Sequence, residues 1–114
     1  MSGETPQNLV EEGILEFTLG DSDTAISKLN RALELDDRCF DAWLALAEVY
    51  LSGKSLDEAL EAAEKAHEIK PDDLHINTSL SRIWVEHGNV EKAEHFAAQV
   101  RMISWKKELR GDPS

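Results

Sequence analysis

Three alanines, Ala25, Ala59 and Ala93, stand 34 residues apart, and the same step links Ala32, Ala66 and Val100 as well as Gly13, Ala47 and Ser81. A step of this length that keeps small and apolar residues in place means one structural unit written three times, each copy burying its apolar face on its neighbour. The stretch KAHEIKPDD at 65–73 accordingly echoes RALELDD at 31–37, the same helix ending followed by an acidic turn.

Within a unit the apolar residues recur at helical spacing: Ala42, Trp43, Leu46, Ala47, Val49 and Tyr50, then Leu56, Ala59, Leu60, Ala63 and Ala66. SGKS, with Gly53, breaks these two runs, and its counterparts are LGDSD around Gly20 and HGNV around Gly88. Candidate caps for the second helices are Asp57 or Ser55, Asp23 or Ser22, and Asn89, whose side-chain oxygens can accept from unpaired backbone N–H groups. Asp36-Asp37 and Asp72-Asp73, with Pro71, separate one unit from the next, because proline cannot continue a helix. The expectation is an all-α chain forming one domain over 1–114, with repeat 1 at about 7–37, repeat 2 at about 41–71, repeat 3 at about 75–105 and a tail at 106–114. Trp105 fills the slot of Pro71, so the last helix is expected to run on, to about Leu109.

These residues carry a family resemblance. The middle unit resembles a tetratricopeptide repeat through Trp43, Leu46-Ala47, Tyr50, Ala59, Ala63, Ala66 and Pro71. The third follows through Leu80-Ser81, Trp84, Gly88, Ala93 and Ala97, and the first through Leu9, Gly13, Gly20, Ala25, Leu29 and Ala32. Glu12 and Glu16 depart from the pattern, standing where the other units have Leu46, Tyr50, Leu80 and Trp84; polar substitution of this kind is ordinary at the end of a repeat stack. The resemblance implies a right-handed superhelical solenoid of three helix-turn-helix hairpins, an α-α superhelix. It also implies that Ala25, Ala59 and Ala93 let paired helices approach closely, while Trp43, Tyr50 and Trp84 fill the wider gaps.

In such a superhelix the first helix of each repeat lines the inner wall. The resemblance then implies a peptide-binding groove at Val10, Ile14, Phe17, Leu44, Glu48, Leu51, Thr78, Arg82 and Val85, unusually apolar for a surface. Phe17, Leu51 and Val85 could instead be plain contacts between neighbouring repeats. Arg82 could orient a ligand or pair with Glu48 or Glu86. Relatives that hold the carboxylates of heat-shock chaperone tails use lysine, arginine and asparagine at slots filled here by Val10, Ile14, Ala45, His75 and Ser79, and a clamp without cations does not hold two carboxylates. The function expected is a protein-protein interaction module, an adaptor or scaffold that takes a peptide or an amphipathic helix of a partner. The alternative is self-assembly into a homodimer through the last helix, at Val100, Ile103, Trp105 and Leu109.

Composition narrows the classes. With 23 acidic and 12 basic residues the formal charge is −11, and such a chain repels a phosphate backbone and anionic lipid alike, so neither nucleic acid nor a membrane is expected as partner. The acid excess lies almost wholly in residues 1–70; Arg101, Lys106, Lys107 and Arg110 form a small basic cap at the other end, where it complements a helix dipole. Cys39 stands alone and has no companion histidine, no apolar run is long enough to span a bilayer, and MSGETPQN lacks the features of a signal peptide, so a cytoplasmic location is expected. His87, Glu91 and His95 step by four, yet Gly88-Asn89 interrupts the helix between the first and the others. No phosphate loop, nucleophile elbow or calcium loop is present, and the expectation is no enzyme, no cofactor and no metal.

Overall fold

The first helices start at residues 6, 40 and 74 and the second helices at 22, 56 and 90, so every helix start repeats on the 34-residue step. In the computed structural model, which describes residues 4–111, the order is α1 (Pro6–Thr18), α2 (Ser22–Leu35), α3 (Phe40–Ser52), α4 (Leu56–Ile69), α5 (Leu74–His87) and α6 (Val90–Leu109). There is no strand among the described residues. Residues 106–109, placed at the head of a tail by the repeat boundaries, continue α6; residues 112–114 of that expected tail lie outside the described residues.

Side-chain caps fix most helix starts. Thr5 accepts from the Asn8 N–H at 3.1 Å ahead of Pro6, whose missing N–H costs nothing in the first turn. Asp73 and Asn89 accept likewise from Ile76 and Lys92, each at 3.0 Å. For α2 the cap is Asp21, not Asp23 or Ser22: its carboxylate accepts from the Thr24 N–H at 3.0 Å and the Thr24 hydroxyl at 2.7 Å, and these bonds hold it below the usual carboxylate range. Ser55 does precede α4 but makes no side-chain cap bond, and Asp57 lies inside the first turn.

The turn between paired helices needs one left-handed residue. Gly20 and Gly88 supply it with φ of 95° and 87°. In the middle repeat the residue on the same step is Lys54, with φ of 64°, while Gly53, read from sequence as their counterpart, has an ordinary φ of −87°. A lysine there costs about 1 kcal/mol or more relative to glycine. Its ammonium reaches Glu86 of α5 at 3.0 Å, so the strained turn of repeat 2 is tied to repeat 3.

Each hairpin closes on alanine. Ala25, Ala32, Ala59, Ala63 and Ala66 are fully buried between paired helices, and Leu29, Leu46, Leu80 and Ile83 fill the core around them. Gly13 lets α1 approach α2 further still, since a β-carbon there would stand 3.0 Å from Leu29 Cγ. The hairpins then stack: α2 packs on α3 and α4 on α5, while α6 packs along α5 and meets α4 through the edge-on contact of Phe96 with the His67 ring. The result is elongated, 46 × 35 × 24 Å, with a radius of gyration of 14.9 Å; a compact domain of this length would have roughly 13 Å.

A latch recurs at the loop between repeats. The Trp43 indole N–H donates to the Asp37 carbonyl at 2.9 Å, and one step on, the Asn77 amide donates to the Pro71 carbonyl at the same distance and to the Asp73 carbonyl at 2.8 Å. Asn77 is completely buried, and its Oδ1 has no hydrogen-bond partner among the described residues. Because the two donated bonds offset the burial of this amide, Asn77→Ala is expected to lower stability by about 1–2 kcal/mol in urea denaturation.

Candidate binding trough

Curvature follows from which helices touch. The first helices run close to one another, α1 with α3 and α3 with α5, whereas the second helices stay further apart, α4 meeting α6 through the His67–Phe96 ring contact at 5.8 Å. The first helices are therefore the inner wall of the stack. Two depressions open on it, one of about 480 Å³ between α1 and α3 and one of about 460 Å³ spanning α1, α3 and α5. Both are bordered by Phe17 and Glu48, so they join into one trough.

The first depression is floored by Val10, Val49 and Leu44, with Ile14 and Phe17 along one side and the carboxylates of Glu11, Asp41 and Glu48 at its margin; no cation borders it. The second has Leu51 and Val85 beside the charged side chains of Lys54, Arg82 and Glu86. Its cations are both engaged: Arg82 bonds Glu48 at 3.3 Å, and Lys54 pairs with Glu86. The buried hydroxyl of Ser79 also donates to Glu48, which holds that carboxylate at the junction of the two depressions. Of the two pairings open to Arg82 on sequence grounds, the structure contains the one with Glu48.

The trough brings together Val10, Ile14, Phe17, Leu44, Glu48, Leu51, Arg82 and Val85. Two of these, Val10 and Leu51, border it with side chains almost closed to solvent. Val10 is 2% exposed and Leu51 5% exposed, because the following repeat covers each of them. Val85, one step after Leu51, is 61% exposed, and no described element covers it. Thr78 is exposed but borders neither depression; its hydroxyl donates to the Leu74 carbonyl within its own helix. Sequence reasoning missed Asp41, and it missed Lys54, which the 34-residue register with Gly20 and Gly88 could have marked.

On α6, Met102, Trp105 and Leu109 fall at i, i+3 and i+7 and form an exposed apolar stripe, with Trp105 61% exposed. Val100 and Ile103, expected to belong to the same surface, are half-buried. His87 lies 3.4 Å from Asp57, and among the described residues no three histidine, cysteine, aspartate or glutamate side chains converge on a point where a metal could sit. No helix among the described residues is long and apolar enough to cross a membrane.

Hairpins on a fixed step, stacked around an inner trough, define a helical-repeat interaction domain. The chain belongs to the tetratricopeptide repeat family: one model of that family, Tetratricopeptide repeat, matches residues 10–74 and a second with the same description matches 51–104. It is similar to human Superkiller complex protein 3, 30% identical over 99 residues, and to Tetratricopeptide repeat protein 37 of Xenopus laevis, 27% identical over 95. These matches cover 87% and 83% of the chain but only 6% of each relative. Among solved structures it is similar to MamA, with a TM-score of 0.86 at 27% identity over 91% of this chain and 61% of that one. A second MamA structure gives 0.83 over 91% and 57%, again at 27% identity. Repeats of this family are in general protein-protein interaction modules and not enzymes.

Proposed function

We propose that the trough seats an apolar, basic segment of a partner protein, as an extended peptide or one face of an amphipathic helix. The observation that carries this reading is the first depression: Ile14, Phe17 and Leu44 offer apolar contact, while Glu11 and Asp41 at its edge meet no cation within it, Glu48 being held by Arg82. An apolar side chain from the partner fills the hollow, and a neighbouring lysine or arginine faces the carboxylates. The overall charge of −11 steers the same partners.

A random peptide library displayed on phage and panned against the protein tests this. Selected peptides should carry apolar residues with lysine or arginine between them and bind at about micromolar strength, roughly −8 kcal/mol. Ile14→Asp with Val85→Asp, both at exposed side chains, should weaken them at least about tenfold in calorimetric titration and leave the thermal melt in place. Equal binding by the double variant would place the site elsewhere.

A second reading, self-association, is favoured by the Met102, Trp105 and Leu109 stripe on α6, which no other helix covers among the described residues.

A further inference from the structure

Residues one step apart can be compared for what covers them. Leu46 and Val49 of α3 are buried, as are Leu80 and Ile83 of α5, and Val49 shares a depression with α1 and Leu80 one with α4, elements of the preceding repeat. Their counterparts on α1, Glu12 and Leu15, are exposed, Leu15 by 56%. At the opposite end the change is reversed: Leu51 is buried beneath the following repeat, and Val85 is open. The α1 end and the α6 end of the stack are thus the two halves of one repeat-to-repeat joint, each without its mate among the described residues.

The 34-residue register says what the halves would place together. At the joint between repeats 2 and 3, His67 and Glu68 of α4 share a depression with Leu80 and Trp84 of α5. One step after His67 and Glu68 come Arg101 and Met102 of α6; two steps before Leu80 and Trp84 come Glu12 and Glu16 of α1. A joint formed between two copies would therefore set Arg101 of one against Glu12 and Glu16 of the next, at places where the internal joint has a histidine, a leucine and a tryptophan. Lys106, Lys107 and Arg110 add positive charge at the same end.

We propose that the chain associates head to tail with further copies of itself, the α1 end of one on the α6 end of the next, matched in charge by Arg101 with Glu12 and Glu16 and bringing Leu15 and Val85 into the joint. This gives a mode and a partner to the self-association reading, and of the trough residues it engages Val85. The contact is heterologous: each copy keeps one free end, so growth continues past two. Existing pairs do not prevent it. Glu12 is held by Lys28 and Arg101 by Glu94, both at 2.8 Å on exposed surface, where exchanging one partner for another costs little.

Sedimentation velocity over a concentration series tests the proposal. The protein should grow beyond dimers at low salt and lose about tenfold or more in association strength at high salt. Arg101→Glu alone and the pair Glu12→Lys, Glu16→Lys alone should each stay monomeric at concentrations where the unchanged protein assembles, with helicity intact by circular dichroism. An equimolar mixture of the two should assemble again, because each mixed joint then has opposite charges. Unaltered assembly of Arg101→Glu, or failure of the mixture to recover, overturns the proposal. A species that stops at two, insensitive to Arg101→Glu but lost with Trp105→Ala, would overturn it in favour of a symmetric dimer through α6. A strict monomer would remove the self-association reading as well.

Discussion

Leu51→Asp should unfold the protein rather than silence its trough. The side chain is 5% exposed, packed beneath the third repeat, although it sits on the inner-wall helix α3. The substitution removes buried methyl groups, worth about 2–5 kcal/mol in a core, and sets a carboxylate at a nearly closed site whose neighbouring cations, Lys54 and Arg82, are already paired with Glu86 and Glu48. A loss of about 4 kcal/mol or more is a large part of the roughly 5–15 kcal/mol that holds a domain of this size. The melting temperature should fall by roughly 15 °C, measured by circular dichroism. Ile14→Asp, on the same wall but open to solvent, should shift it by no more than about 2 °C, because exposed substitutions rarely exceed about 0.5 kcal/mol. A Leu51→Asp protein that melts with the parent would mean that α5 does not cover α3 as described.

The second large effect concerns the crossing inside a hairpin. Ala59 has no exposed surface and lies on α4, in the hairpin that α4 closes with α3. An indole there has to force the helices apart or leave its rotamer wells, and overpacking of this kind costs about 3 kcal/mol or more at a closed site. Ala59→Trp should therefore move the urea midpoint down with little change in its slope. An unchanged midpoint would show that the two helices cross somewhere else.

The period made most of the fold legible. Small residues recurring every 34 positions gave the number of hairpins, their pairing and the places of all six helices, since every helix start falls on that step. The family resemblance also placed Ile14, Phe17, Leu44, Glu48, Arg82 and Val85 on one wall, where the structure has them. It did not show that Val10 and Leu51, which border the same depressions, are almost closed to solvent. A heptad-like pattern says which way a side chain points from its own helix, and burial of these two depends on how far the next hairpin folds over, a property of the stack. Lys54 escaped for a different reason: attention to glycine as the left-handed residue favoured Gly53, although the register pointed one residue on. Asn77 was hidden because an amide at the step after Trp43 looks like a lost core residue, and only the geometry of the loop shows that it donates the equivalent bond to the Pro71 carbonyl.

What this protein does turns on whether the inner wall holds another polypeptide. The most direct measurement is a titration of isotope-labelled protein with one panned peptide, following backbone amide resonances. Shifts should concentrate on the α1, α3 and α5 residues bordering the two depressions, Ile14, Leu44, Glu48 and Val85 foremost, with Trp105 and the outer faces of α2 and α4 unmoved. Shifts gathered on the α6 stripe or on those outer faces, with the trough silent, would contradict the account.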